Sequence, residues 1–409
     1  MEYVKLKDIT TKITKGTTPS NIGDSFTDEG INYFRSEMLG KTKYLDKSSG
    51  MMFISENTHN KLKRSQIEAD DILFSMAGIY LGKLAIVKDE DVPANTNQAV
   101  ALIRFNKDVN IDYLYYFMVQ KSFNAYVNCM SAQAAQPNIN LKQIGNLQIA
   151  LPTDEQQKRI AGILSAYDSL IENNNKRIKL LEQMAENLYK EWFIRFRFPG
   201  YENEYFIEDI PSSWSYVQLG DIASFDRGTS YSSDEINCDD GINLINLKNI
   251  QSYGGFRRDG TKQYNGKYKD SQIVAAGDLI LGVTDMTQDR RTVGSVALIP
   301  QSLGISAISA DLVKVNLKVP NVFFYCMCRY GFYSKYFSQF ANGANVLHLK
   351  PNVLLNKKIL LPTAELIEAF TEKVQPMIDI VDDLNRQNDL LTKQRDMLLP
   401  RLMSGKIEV

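Results

Sequence analysis

Cysteine and histidine are scarce in this chain: the four cysteines Cys129, Cys238, Cys326 and Cys328 show no CxxC spacing, and the only histidines are His59 and His348. That supply is too thin and too scattered for a zinc site, so no metal is expected. No apolar run approaches the roughly 20 residues needed to span a bilayer, and the opening MEYVKLKDIT lacks the apolar stretch of a signal peptide, which predicts a cytoplasmic protein without a membrane partner. A Gly-rich cofactor turn after a strand and a phosphate loop of the Gly-x-x-x-x-Gly-Lys-Ser/Thr form are missing too. Neither charge sign dominates: 47 Lys and Arg face 48 Asp and Glu. Bulk charge therefore points to no nucleic-acid partner, and any such surface has to come from local sorting of side chains.

What is present is enough apolar residue for real cores, 44% hydrophobic against 23% charged, on a chain of 409 residues that exceeds one ordinary core and suits two. An internal repeat supplies the division. Tyr3-Val4-Lys5-Leu6-Lys7-Asp8-Ile9 returns as Tyr216-Val217-Gln218-Leu219-Gly220-Asp221-Ile222, at an offset of 213, and each copy is followed by a Gly-Thr pair, Gly16-Thr17 and Gly228-Thr229. Ala69-Asp70-Asp71-Ile72-Leu73 matches Ala276-Gly277-Asp278-Leu279-Ile280, and Leu151-Pro152-Thr153 matches Leu361-Pro362-Thr363, at offsets of 207 and 210. Matches in one order at nearly one spacing mark a duplication.

Each copy changes character at its Leu-Pro-Thr. Before it, short strand-like runs lie between Gly, Asn and Asp turns: 71–76 and 99–105 in the first copy, 278–281, 295–299 and 311–315 in the second. Single helices are predicted over Ile111 to Asn128 and Val322 to Phe340. After it, Thr153 and Gln156 form the pattern of a capping box, opening a helix to about Arg195. Along that helix Ile160, Leu164, Tyr167, Ile171, Asn174, Ile178, Leu181, Ala185, Leu188 and Trp192 alternate steps of four and three, the seam of a coiled coil. Phe370, Val374, Met377, Val381, Leu384, Asn388, Leu391, Arg395, Leu398 and Leu402 occupy the same places shifted by 210. Pro376 falls inside this second pattern and predicts a short helix before it and a long one after it. A lone polar residue such as Asn174 or Asn388 in a seam commonly fixes register; the alternative is an amide facing solvent.

Two seams in one chain can satisfy each other as an intramolecular antiparallel pair, or pair with another copy or another protein. The first arrangement predicts an α+β protein of two tandem mixed modules joined by two long antiparallel coiled-coil helices with pseudo-twofold symmetry. Its segments would be a module over 1–150, a spacer helix over 151–200, a module over 201–360 and a second spacer helix over 361–409. A helix of about 35 residues is roughly 50 Å long, enough to hold two modules a turn or more of DNA apart.

The run from Leu151 to Ile160, the Gly16-Thr17-Thr18-Pro19 turn, Asn97-Gln98, Trp192-Phe193 at the helix exit and the closing Leu398-Leu399-Pro400-Arg401-Leu402-Met403-Ser404-Gly405-Lys406, together with the duplication, resemble the specificity subunits of type I restriction-modification enzymes over essentially the whole chain. The sequence departs from that pattern where Thr363 is followed by Ala364-Glu365-Leu366 and where no proline follows Gly228-Thr229. The resemblance implies a non-catalytic subunit whose two target-recognition domains each read half of a bipartite double-stranded DNA site. Two modification subunits would dock on it, carry S-adenosylmethionine themselves and methylate adenine, and restriction subunits would be possible further partners; the chain itself would need no cofactor. Consistent with that, the sequence has no Asn-Pro-Pro-aromatic or Asp-Pro-Pro-Tyr loop for amine methylation, and neither histidine stands beside a Ser or Cys nucleophile motif.

Base reading needs Arg, Lys, Asn and Gln, with hydroxyls and amides fixing phosphates. Candidates in the first module are Thr17, Thr18, Ser20, Arg35, Lys61, Lys63, Arg64, Gln133, Gln136, Asn138 and Asn140. In the second they are Arg227, Thr229, Ser230, Lys248, Arg257, Arg258, Gln288, Arg290, Arg291, His348 and Lys350, with Arg257-Arg258 and Arg290-Arg291 the strongest because the first pair closes a run of an aromatic and glycines from Tyr253 and the second sits in a loop between predicted strands. Two other classes compete: a coiled-coil scaffold joining two protein-binding modules, which would bind no duplex, and a standalone enzyme, which would act without a methyltransferase partner.

Overall fold

The computed structural model describes residues 2–131, 138–236 and 240–408. The chain forms two compact units, Met1–Glu172 with Asp389–Val409, and Asn173–Asn388. Each unit thus contains one globular part and a segment of each long helix.

The globular parts share one plan. In unit 1 an antiparallel sheet runs in the order Thr10–Lys15, Val100–Phe105, Ile72–Ser75, Leu84–Ile86; in unit 2 the order is Ala223–Arg227, Leu312–Leu317, Leu279–Gly282, Val296–Leu298. These central strands are buried on both faces, which explains why they read as continuous apolar runs and not as alternation. A second sheet in each unit contains one parallel pair, Ile31–Phe34 with Ala94–Thr96 and Ile242–Ile245 with Ser306–Ile308. Its outer strands differ only in length. Phe26–Thr27 beside Met52–Ile54 in unit 1 corresponds to a single bridge from Ile236 to Tyr264 in unit 2, and Ile273–Val274 in unit 2 corresponds to a bridge from Ile67 to Ala94 in unit 1. The repeated Tyr-Val motif forms Glu2–Lys5 and Ser215–Gln218, each paired antiparallel with the strand leading into a long helix, Gln148–Leu151 and Lys358–Leu361.

The predicted single helices are each two: Ile111–Met118 with Lys121–Ser131, and Asn321–Tyr330 with Tyr333–Ser338. In unit 1 the amide of Gln120 donates to the Phe117 carbonyl at the break, and in unit 2 Phe332 adopts φ 64°. Left-handed backbone at a bulky residue ends a helix whatever the apolar periodicity around it.

The central helix, Asp154–Tyr189, starts on the reciprocal capping box read from the sequence, with Gln156 N–H donating to Thr153 Oγ1 at 3.4 Å and Thr153 N–H to Gln156 Oε1 at 3.3 Å. At the second start Leu366 N–H donates to Thr363 Oγ1, but Leu366 has no acceptor to return, so only half a box forms. The central helix ends in a wider π-type turn, Lys190–Ile194, that lets the adjacent Trp192 and Phe193 both enter the core. The C-terminal helix, Ala364–Met403, is unbroken, which corrects the split expected at Pro376. Pro376 is exposed, so the Glu372 carbonyl it leaves without a donor meets water, while buried Phe370 and Val374 before it and Leu384 after it hold one axis.

Within each unit the two helix segments run antiparallel. In unit 1 Ile160 and Leu164 share a core with Leu402 and Met403, Leu398 packs against it, and Asp168 pairs with Arg395; Ile171 and Leu391 are half-buried. In unit 2 Asn174 Nδ2 donates to Asn388 Oδ1 at 3.0 Å, Trp192 meets Phe370 at 5.8 Å, Leu384 is buried, and Ile178, Leu181, Leu188 and Val381 are half-buried. Both seam asparagines face each other, so the solvent-facing alternative does not apply. Among the described residues no helix is long and apolar enough to cross a membrane.

Candidate nucleic-acid interface

The two Gly-Thr pairs occupy one structural position. Gly16 N–H donates to Val100 O and Thr17 N–H to Thr96 O in unit 1; Gly228 N–H donates to Leu312 O and Thr229 N–H to Ile308 O in unit 2. A Cβ at Gly16 would lie 1.7 Å from Thr96 O and one at Gly228 2.1 Å from Ser309 O, so close backbone approach demands glycine at both. The turn is thereby pinned where the two sheets of each unit meet.

In unit 1 this pinning gathers several predicted residues. Asp24 N–H donates to Pro19 O, while the Asp24 carboxylate accepts from Lys61 at 2.8 Å and from Thr58 at 2.9 Å, joining the turn to the helix Glu56–Lys61. The Lys61 ammonium and the Thr58 hydroxyl hold the Asp24 carboxyl below its ordinary pKa. Arg64 Nη2 reaches Thr17 Oγ1 at 3.5 Å, Thr18 Oγ1 donates to Gln98, and Ser20 and Lys63 are exposed nearby in sequence. Arg35 pairs with Glu37 at 2.9 Å. His59 sets Nδ1 against the side-chain Oδ1 of buried Asn95, a structural contact. Gln133 and Gln136 lie outside the described residues. Asn138 bridges Ala77 beside the loop that follows Ile72–Ser75. Asn140 is exposed, and its side-chain oxygen accepts from Gln143 N–H at 2.9 Å and caps the helix Leu141–Gly145.

In unit 2 the structure divides the predicted set. Ser230, Lys248 and Lys350 are exposed, Arg257 is exposed with Asp259 3.9 Å away, and Arg227 Nε donates to Ala310 O at 3.3 Å. Arg258, one of the strongest expectations, is turned inward: its guanidinium pairs with Asp382 at 2.8 Å and also donates to Ser302, fastening the second sheet to the C-terminal helix within the unit. Thr229 is buried, and its hydroxyl lies 3.2 Å from the carbonyls of both Lys267 and Ser230, with one proton to donate to either. A second cluster forms where the loop after Leu279–Gly282 meets the hairpin 342–348. His348 pairs with Thr284, Gln288 Nε2 donates to Ala344 O at 2.8 Å, and Arg290, at φ 55°, donates to Ser338 O at 3.1 Å. Arg291 is exposed and pairs with Asp289 at 2.9 Å.

A residue that sequence reading passed over organises this loop. Burial raises the pKa of Asp285, but N–H donors from Thr292 and Thr287 and the Thr287 hydroxyl outweigh it and bring the carboxyl down to about 2. The one available signal was an aspartate at the end of an apolar strand opening a polar loop. That is a pattern shared with many ordinary turns.

Comparison with known proteins bears on the whole chain. A family model described as the type I restriction modification DNA specificity domain matches residues 1–183 and again 211–399. The type I restriction enzyme MjaIX specificity subunit of Methanocaldococcus jannaschii is 27% identical across 99% of this chain and 93% of its own length. The HindI specificity subunit of Haemophilus influenzae is 21% identical across 84% of this chain and 88% of its own. In fold, the chain is similar to the S subunit of a type I restriction-modification system from M. genitalium, with a TM-score of 0.62 at 15% identity over 98% of this chain and 95% of that one.

Proposed function

Because the chain belongs to the type I restriction-modification DNA specificity family, as the two matches of its family model establish, we propose that it is the address-reading, non-catalytic subunit of a modification complex. Each unit reads one half of a bipartite duplex site, and the antiparallel helices set the distance between the halves. The observation that carries this reading is the duplicated, glycine-enforced Gly-Thr turn standing beside exposed cationic and hydroxyl side chains in both units. The amides of the turn are spent on holding it in place, and the exposed side chains beside it, Ser20, Lys63 and Arg64 in unit 1 and Arg227 and Ser230 in unit 2, are the groups free to reach phosphates and base edges. Reading chromosomal DNA places the work of the chain in the cytoplasm.

The helices have a second face. In unit 1 Ile163, Leu170, Leu390 and Met397 are exposed outside the seam, and in unit 2 Leu180, Met184 and Ile380 are. Leu170 and Leu180 on the central helix correspond under the 210-residue shift to Ile380 and Leu390 on the C-terminal one. Repeated exposed apolar positions on helices that already have partners suit the docking of two modification subunits, which bring S-adenosylmethionine and the methylating chemistry. A motor and nuclease subunit completes the assembly in a host that restricts.

The test is co-expression with the modification subunits followed by methylation-sensitive sequencing of the DNA. Exchanging residues 1–150 for those of another specificity subunit should change one half of the methylated site and leave the other. A change in both halves or in neither defeats the modular reading, and a chain that binds no duplex supports the scaffold instead.

A further inference from the structure

The loop after the third strand of the first sheet is where the two units part company. Gly82 N–H donates to Ser75 O, and Gly294 N–H donates to Gly282 O; both glycines have φ 78°, so they mark the same place. Before them lie Gly78 and Asp285, equivalent through the bridges Ala77 to Asn138 and Thr284 to His348. Residues 79–81 fill the interval in unit 1, and residues 286–293 fill it in unit 2. Unit 2 therefore carries a longer, polar loop on an otherwise shared frame, and a carboxylate where unit 1 has no side chain.

That carboxylate spans the loop. Asp285 is 3% exposed, its Oδ1 accepts from Thr287 N–H and Thr287 Oγ1 at 2.9 Å each, and its Oδ2 accepts from Thr292 N–H at 2.8 Å and Val293 N–H at 3.4 Å. One oxygen thus holds the outgoing strand of the loop and the other the returning strand. Residues 286–289 and Arg291 between them are exposed, so no apolar core shapes this segment. A buried, multiply bonded carboxylate under an exposed loop makes sense when the conformation of that loop matters.

We propose that Asp285 is the positioning residue of a recognition loop, 286–292, and that by fixing the places of Gln288 and Arg291 it determines base preference in the half-site read by unit 2 and in no other. The inference rests on the reading of each unit as the reader of one half-site.

The experiment uses the full chain assembled with its modification subunits. Methylation rates are measured on the cognate duplex and on duplexes with single base-pair changes in each half, alongside thermal unfolding, with unit 2's half identified by the module exchange above. Asp285→Asn keeps shape but presents an amide N–H₂ to backbone N–H donors. Expected is an unfolding midpoint near wild type, a fall of roughly tenfold or more in rate at the cognate site, and lost discrimination in unit 2's half alone. Thr287→Val removes one hydroxyl donor and leaves the carboxylate, and is expected to move the same discrimination by a smaller factor of about 2 to 5. Unchanged rate and site preference for Asp285→Asn, or equal loss in both halves, overturns the assignment. Should Asp285→Asn unfold the unit, undisturbed discrimination in Thr287→Val overturns it equally. A wild-type complex that methylates no two-part site removes the functional reading and this role with it.

Discussion

In unit 1 charge supplements the apolar contact between the helix segments: Asp168 accepts from both the Tyr116 hydroxyl and the Arg395 guanidinium, and buried Lys43 donates to Ser165 at 2.9 Å and pairs with Asp112 at 2.8 Å. In unit 2 the helix segments close on rings, with Phe193 lying 4.9 Å from Phe370, 5.3 Å from Phe323 and 5.8 Å from Trp214, where the 210-residue shift places Met403 and Ile160 in unit 1. Under the 210-residue shift Arg395 corresponds to buried Ala185 and Asp168 to half-buried Ile378. Unit 2 keeps ion pairs as well, Arg258 to Asp382 and Arg329 to Glu182, but these flank the seam and do not fill it. A duplicated frame has thus kept its geometry while exchanging the chemistry that holds it. Geometry is what two half-site readers must share, and side-chain chemistry is free to drift as long as volume and satisfaction are maintained.

The comparison predicts different sensitivities. Phe193→Ala should have the largest effect, about 3–5 kcal/mol off the stability of unit 2, because a ring contacting several others leaves a cavity that rigid neighbours cannot close. Hydrogen exchange would show the loss in the amides of 173–388, with those of unit 1 unmoved. Arg395→Ala should cost less, about 1–3 kcal/mol, since the pair is partly solvated and Asp168 keeps the Tyr116 hydroxyl. It should also blunt the response to salt. Raising ionic strength to about 1 M should weaken unit 1 in the wild type more than unit 2, because screening acts on part-exposed charges and hardly on buried rings. If Arg395→Ala costs as much as Phe193→Ala, or salt moves both units alike, the contrast drawn between them is wrong.

Much of this architecture was legible because it is periodic or duplicated. The seam from Ile160 to Trp192 and its shifted copy are statements about spacing, and the capping box at Thr153 is a pattern of local hydrogen-bonding chemistry; both survive without knowledge of anything distant. The interface was legible only in outline. Arg257 and Arg258 are neighbours in sequence, yet one is exposed and the other is fastened to Asp382, more than a hundred residues away. In irregular segments the side on which a residue falls is decided by such long-range contacts, and composition carries no trace of them. Asn140 and Thr229 show a related effect: short polar side chains serve caps and turns as readily as ligands, and the cap at Asn140 and the turn contact at Thr229 appear only in the fold. Pro376 erred the other way, a strong local rule yielding to packing on both sides of it.

The smallest expected effect concerns the one polar position common to both seams. Asn174 is buried and donates to Asn388, whose own amide donates to Asn175 Oδ1 at 2.9 Å. Asn174→Leu alone leaves the Asn388 carbonyl short of a donor and should cost about 1 kcal/mol, whereas replacing both by leucine removes the need along with the donor and buries two more apolar side chains. The double variant should therefore be neutral or slightly more stable than wild type, with a coupling of about 1–2 kcal/mol in a double-mutant cycle. Such non-additivity would mean that the amides are retained for register at some cost in stability, as a polar pair in an apolar seam implies. Additive single effects would instead place the two side chains among ordinary solvated contacts, and the seam would owe its alignment entirely to the ionic and aromatic closures that distinguish the two units.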